Sequence, residues 1–332
     1  MRLQVPFIQL PLRFDAERLA AEVAQLGEAP WRPHPQGFPG NSMLPLVAVG
    51  GDASNESFAG EMAPTPELRQ CPYLMQVFHA LGATVGRSRL MRLSGHAEVT
   101  RHADQGYYWA ERVRVHVPII TQPTVRFECG DAAIHMAPGE CWIFDTWRQH
   151  RVLNDATESR VHLVVDTVGG EAFWALLGRG RAHSAPRGPG LWEPDHVAPS
   201  DRDTVLACER VNVPVVMSPW ELNTHLGHLL ADAMPHPQLQ PVRQLTMRFA
   251  RAWQGLWARF GDRPDGHGSF RELLGRYVAE VAVPAQPLVL NNQLRWFDAM
   301  QVMVARVAVA PVDAASSQAA GASAQRQMGD NA

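Results

Sequence analysis

Hydrophobic and polar positions change their rhythm twice along this chain. The opening stretch LQVPFIQLPLR (3–13) has the apolar density of a strand but is broken by Pro6 and Pro11. Proline cannot donate to a β-ladder, so this stretch is expected as an edge strand. Asp15 then stands where a helix N-cap belongs, with Leu19, Val23 and Leu26 at helical spacing behind it. A Pro/Gly-rich loop (27–45), a short strand at Leu46–Val49 and a polar, lid-like loop (50–66) follow, and Pro72 opens a helix through Leu81.

From Arg87 to Asp166 the period shortens to two. Strands are expected at Arg87–Leu93, Ala97–Arg101, Val113–Thr121, Thr124–Glu128, Cys141–Phe144 and Arg160–Asp166, separated by Gly, Pro and Asn/Asp turns. Short, closely spaced strands without a βαβ rhythm predict a β-sandwich or barrel flanked by helices, not a doubly wound fold. After a loop-like stretch (178–203) the rhythm becomes helical. Ser218-Pro219-Trp220-Glu221 and Ser269-Phe270-Arg271-Glu272 are capping boxes, and Leu245, Phe249, Trp253, Leu256, Trp257 and Phe260 recur at helical spacing. A further helix is expected over 293–309, and the low-complexity tail 313–332 is expected to be disordered.

Composition narrows the classes. An apolar fraction of 46% over 332 residues supports a substantial core. A formal charge of −3 provides no basic footprint, so no nucleic-acid partner is expected. The four cysteines (Cys71, Cys129, Cys141, Cys208) are scattered, as in a reducing compartment. No signal-peptide pattern opens the sequence and no apolar run is long enough for a membrane span, so a cytoplasmic location without membrane association is expected.

The chemistry concentrates between Thr100 and Asp166. Alternation along Val113–Thr121 puts Val113, Val115, Val117 and Ile119 on one apolar face and Arg114, His116 and Pro118 on the other. His102-Ala103-Asp104 places an imidazole and a carboxylate side by side. With a distant third ligand, this arrangement matches a 2-His-1-carboxylate triad, which leaves metal positions open for substrates. His96-Ala97-Glu98 is a competing pair of the same form. His150 and Arg160 flank a turn-rich LNDATES segment. A hairpin centred near Asp155 would set them roughly opposite each other, with Arg160 and His162 facing the barrel interior. Tyr107, Tyr108 and Trp109 can line the mouth of a pocket or pack beneath a loop. His135 reads as structural, and Asn41 and Ser42 are weaker substrate candidates. The tryptophans of 249–260 read as core.

The ordered pieces RHAD, RVRVHVPIIT, HMAPGECWIFD, His150 and ESRVHLVVD resemble the aspartyl/asparaginyl β-hydroxylase family of Fe(II)- and 2-oxoglutarate-dependent oxygenases. Within it they are most similar to the bacterial branch that looks like proline cis-hydroxylase. The resemblance implies a double-stranded β-helix (jelly-roll, cupin-like) domain, expected over 1–177; the changes of rhythm along the chain place a linker at 178–203 and a helical C-terminal domain at 204–312. It implies His102, Asp104 and His150 as iron ligands. Arg160 would anchor 2-oxoglutarate, assisted by His116 and Arg114. The implied reaction is hydroxylation of a proline-like amino acid or a peptidyl Asp/Asn residue. It uses O2 and decarboxylates 2-oxoglutarate to succinate and CO2. A non-catalytic cupin-like ligand-binding or sensor module is the rival reading, and the oligomeric state is left open.

Overall fold

The computed structural model describes residues 2–35, 37–186, 188–200 and 204–311, so the tail 313–332 lies outside the described residues. The chain divides into two compact units: Met1–Asp104 with Tyr108–Asn212, and Gln105–Tyr107 with the segment from Val213 onward.

The first unit is mainly β. Its strands are β1 (Phe7–Phe14), β2 (Arg32–Pro33), β3 (Asn41–Val49), β4 (Met62–Pro64), β5 (Thr84–Leu93), β6 (Glu98–His102) and β7 (Val113–Ile120). They continue with β8 (Val125–Cys129), β9 (Ala132–Ile134), β10 (Glu140–Phe144), β11 (His150–Asn154), β12 (Arg160–Gly169), β13 (Arg181–Ala182) and β14 (Asp195–Val197). The larger sheet runs β13-β1-β10-β7-β12-β5-β3-β2, with β14 on β1 and β4 on β3. The smaller runs β6-β11-β8-β9. This is the expected mainly-β, jelly-roll architecture with flanking helices.

Alternation explains the two cores. Val113, Val115, Val117 and Ile119 of β7 join Leu163 and Leu90 in a cluster with Leu19, Val23, Leu74, Val77 and Phe78 from helices Ala16–Gln25 and Pro72–Ala80. Those helices therefore cover the outer face of the larger sheet. Asp15 caps the first of them as expected, accepting from the Arg18 amide. A second cluster (Phe7, Leu93, Phe127, Trp142, Phe144, Val152) fills part of the space between the sheets.

Three expectations are corrected. β1 is not an edge strand, because β10 lies on one side while β13 and then β14 lie on the other. Pro11 falls between those two partners, where the register with β10 also slips, so its missing N–H interrupts no continuous ladder. The stretch 178–203 is not a free linker, since β13 and β14 both pair with β1, and Glu209 beyond it forks onto Arg112 in a fully buried ion pair.

The third correction concerns the hairpin at Asp155. β11 pairs with β6 and β8, whereas β12 pairs with β5 and β7, so the chain changes sheets there. Asn154 makes this corner. Its amide donates to the Leu93, Ser94 and Glu158 carbonyls, and its Oδ1 accepts from the Ala156 amide. His150 and Arg160 thus stand on facing sheets rather than on paired strands.

The second unit is helical: Pro219–Asp232, Leu239–Phe260, His267–Ala285 and Trp296–Met300, the last continued by a π-turn over Gln301–Ala305. Ser218 caps the first helix by accepting from the Glu221 amide, as its capping box predicts. The third helix starts at His267, two residues ahead of the second predicted box, with no side-chain cap. Phe249 stacks on Tyr277 at 4.1 Å, and the buried Trp253 donates to the Met217 carbonyl, so the aromatic helix packs this unit's own core. Among the described residues no helix is long and apolar enough to cross a membrane.

Candidate active site

His102 and His150 face each other directly across the β6–β11 pair, with ring centroids 4.3 Å apart. Asp104 follows just past the end of β6, where its amide donates to the Thr146 carbonyl at 2.9 Å. One ligand atom from each of His102, Asp104 and His150 lies within 4.8 Å of the others. The competing pair gathers nothing comparable: His96 sits in a turn at φ 59°, and Glu98 is exposed.

The surroundings ready these atoms for a cation. His102 Nδ1 lies 2.7 Å from the Thr100 carbonyl, and His150 Nδ1 lies 2.9 Å from that of Arg148. A carbonyl only accepts, so each Nδ1 carries the proton and each Nε2 keeps a lone pair for a metal. Burial lowers the His150 pKa to about 4, which leaves it neutral at ordinary pH. For Asp104, burial is the largest influence and pushes upward. Arg114 and the two histidines outweigh it, and the carboxyl titrates below its usual range.

Arg114 forks onto Asp166 through Nε (2.8 Å) and Nη2 (3.2 Å) and donates from Nη1 to Asp104 Oδ2 (2.7 Å). One oxygen of Asp104 is thereby occupied, while Oδ1 lies 3.8 Å from His102 Nε2. With two carboxylates already on it, Arg114 holds the Asp104 carboxylate in place and offers little to a co-substrate.

Across the chamber, pairing puts Arg160 and His162 of β12 on the same face as Leu93 and Met91 of β5. His116, Val164 and Arg89 share that face one row further along. Arg160 is buried and has no ion-pair partner among the described residues. Its Nη2 approaches His162 Nδ1 at 2.7 Å, while its Nε makes no hydrogen bond. His116 Nε2 and His162 Nε2 are also buried without partners. Burial alone pulls the Arg160 pKa down to about 9, the mark of a cation lacking a counter-charge. His116 is held neutral, by burial first and then by the fields of Arg160, Arg114, His150 and Arg89. Phe127 and Phe144 pack against both His116 and His150, forming an apolar wall between the two polar ends.

Three further residues belong here that the sequence reading overlooked. Arg87 and Arg89 alternate along β5, and His34 sits in the loop before β3. His34 reaches toward His102 through Phe38, whose ring lies 5.9 Å from His34 and 6.4 Å from His102. The signal was present in GRSRLMRL, where Arg87 and Arg89 are two apart on a strand while Arg92 falls on the other face. Other candidates fall away from the chamber. Tyr108 is buried beneath Arg112, with its hydroxyl taking the Arg87 amide. Tyr107 groups with the helical unit. Ser42 accepts from Arg92, which pairs with Glu28 on the outer face. His135 bonds the Val125 carbonyl.

The donor set and the unpaired guanidinium fit a divalent metal together with a short dicarboxylate. Comparison with known proteins agrees with this class. Residues 56–169 match the aspartyl/asparaginyl β-hydroxylase family, which bears out the resemblance read from the sequence. The chain is 25% identical over 181 residues to L-proline cis-3-hydroxylase 1 of a Streptomyces species; the match covers 49% of this chain and 60% of that relative. Solved structures matched in the comparison include a 2OG-Fe(II) oxygenase family protein from Burkholderia pseudomallei (14% identity, TM-score 0.36, 50% of this chain and 86% of that one). A prolyl-4-hydroxylase from Pseudomonas putida is another (16% identity, TM-score 0.32, 49% and 92%).

Proposed function

We propose that the first unit is an Fe(II)- and 2-oxoglutarate-dependent dioxygenase. It would hydroxylate a proline-like amino acid or a peptidyl Asp/Asn residue and release succinate and CO2. The observation that carries this reading is a pair of complementary groups on facing sheets. On one, three metal-binding atoms converge, and on the other a buried guanidinium has no ion-pair partner among the described residues.

On this reading His102, Asp104 and His150 would hold the iron. Arg160 takes the far carboxylate of 2-oxoglutarate as a two-pronged ion pair, which satisfies its free Nε. His116, held neutral and lying between the two ends, can hydrogen-bond the bound keto acid without adding charge. Iron with the keto acid supplies the activation of dioxygen needed to attack an unactivated C–H bond. The chain keeps the Asp104 carboxylate ionised through Arg114, fixes the tautomers of both histidines, and excludes water with Phe127 and Phe144. Similarity to the Streptomyces enzyme supports a proline-like substrate. All four cysteines are free, which suits a cytoplasmic setting.

The test is an anaerobic titration of apo-protein with Fe(II) and then 2-oxoglutarate, followed in the visible spectrum. A charge-transfer band that requires both additions and vanishes in Asp104→Ala is the expected result. Folded wild-type protein without a band at saturating ligand would remove the oxygenase reading.

A further inference from the structure

Asp104 is fixed twice by its own unit. Its amide donates to the Thr146 carbonyl at 2.9 Å, and its Oδ2 accepts from Arg114 Nη1 at 2.7 Å. The backbone beyond its carbonyl is held differently. Gln105, Gly106 and Tyr107 belong to the helical unit, and the chain rejoins the β unit at Tyr108. Gly106 permits so short an excursion, since its φ of 122° is a conformation that residues with a Cβ rarely adopt. Gln105 adds no hydrogen bond through Oε1, which is buried without a partner. The hold therefore falls to Tyr107, only three residues beyond Asp104. Its hydroxyl donates to Glu221 Oε1 at 2.6 Å, and its ring meets that of the buried His225 edge-on at 5.5 Å. Glu221 and His225 stand one helical turn apart on Pro219–Asp232, so a single face of that helix presents both partners. The helix is itself secured: Ser218 caps it through the Glu221 amide, and Leu222, Leu226 and Leu229 are buried. A hydrogen bond to a carboxylate is about twice as strong as one between neutral groups.

We infer that Tyr107 is a positioning residue: its clasp on Glu221 and His225 fixes the course of the chain as it leaves Asp104, and so gives the helical unit a part in holding the metal. This rests on the metal-site reading of His102, Asp104 and His150 above and extends it to a unit that reading left without a role. Covalent continuity carries the effect. An unclasped Asp104 backbone has to be ordered each time a cation binds, whereas a clasped one is ordered beforehand. Such coupling is reciprocal: the factor by which the clasp raises metal affinity is the factor by which the metal strengthens the clasp.

The experiment uses the full-length chain as wild type, Tyr107→Phe, Glu221→Gln, Glu221→Ala and the double variant Tyr107→Phe/Glu221→Ala. Each is titrated anaerobically with Fe(II) alone, at a temperature where circular dichroism shows it folded. Hydrogen exchange of the helix Pro219–Asp232 is followed with and without the metal. Tyr107→Phe should weaken Fe(II) binding about tenfold, the scale of one hydrogen bond to a charged group. Glu221→Gln keeps an acceptor for the hydroxyl and should stay within about threefold of wild type. Glu221→Ala should match Tyr107→Phe, and the double variant should be no weaker than either, because both changes remove the same bond. In wild type Fe(II) should slow exchange along the helix, and in Tyr107→Phe it should not. A tyrosine that only stabilised the helical unit would lower Tm and leave both readouts unmoved. Fe(II) affinity unchanged in Tyr107→Phe, a double variant weakened by the product of the single effects, or helix exchange indifferent to the metal in wild type would each overturn the inference. Folded wild type that binds no Fe(II) would instead sink the metal-site reading beneath it.

Discussion

A guanidinium taken out of water without a counter-ion destabilises the fold that holds it, and Arg160 is in that position. It is 3% exposed, its Nε is unpartnered and burial lowers its pKa to about 9. Replacing it by the similarly long, uncharged Met should therefore stabilise the apo-protein. Substitution of buried ion groups by apolar ones gains about 1–3 kcal/mol, which corresponds to a rise of a few degrees in Tm for a unit of this size. The same substitution should remove the response to 2-oxoglutarate while leaving Fe(II) binding in place. Thermal melts of apo-protein and equilibrium Fe(II) titration check both halves. A lower apo Tm in Arg160→Met would make this arginine part of the scaffold. Asp166 shows the opposite logic: it is buried too, yet sits on a partner that also holds Asp104, so its charge is spent on geometry.

At the scale of elements, the change of sheets between β11 and β12 puts the two halves of the site face to face. Asn154 bonds three carbonyls and one amide there, and at Gly95 an added Cβ would come within 2.0 Å of the Thr157 carbonyl oxygen. Asn154→Ala leaves those buried groups unsatisfied and should cost about 2–4 kcal/mol, a few hydrogen bonds' worth. Because His150 lies on the strand entering the corner and Arg160 on the strand leaving it, Fe(II) and 2-oxoglutarate affinities should weaken together. Denaturant melts and the two ligand titrations would show this, and an unchanged melt would relieve Asn154 of the role.

The same corner marks where the sequence stopped being legible. Alternation correctly sorted Val113, Val115 and Val117 from Arg114 and His116, because period-two patterning directly records which face is buried. The set His102, Asp104 and His150 came instead from the family resemblance, and their ligand atoms do lie close together. Alternation carries no record of which sheet a strand joins. That depended on one asparagine side chain, and LNDATES read alone looks like an ordinary hairpin turn. Pro11 misled for a related reason: a proline marks a gap in a ladder, and here the gap lies between two successive partners. Arg87 and Arg89 were legible but lay upstream of the motif-bearing run.

For the whole first unit, charge decides what the chamber is for. Four guanidiniums (Arg87, Arg89, Arg114, Arg160) face two carboxylates (Asp104, Asp166), an excess of two positive charges inside a protein whose formal net charge is −3. The histidines do not add to it, since His34 and His150 are lowered to about 4, and His116 and His162 well below their ordinary value, in each case by burial first. Such a chamber favours a dianion, and a metal ion added alone meets local repulsion that the Asp104 carboxylate and two lone pairs must overcome. The two ligands should therefore help each other. Each on its own should raise Tm modestly, and together they should raise it by more than the two shifts added. A ligand that binds only the folded state contributes about 2.7 kcal/mol at a hundred times its Kd, so the cooperative excess is readable as degrees in a melt. Removing the metal with a chelator should return the 2-oxoglutarate shift to its small single-ligand value. In Arg160→Met the iron shift should survive and the excess disappear, whereas in Asp104→Ala both should fall. Strictly additive shifts in wild type would mean that the two ends of the chamber do not act on one ligand. The site would then be a metal centre with an unrelated buried arginine.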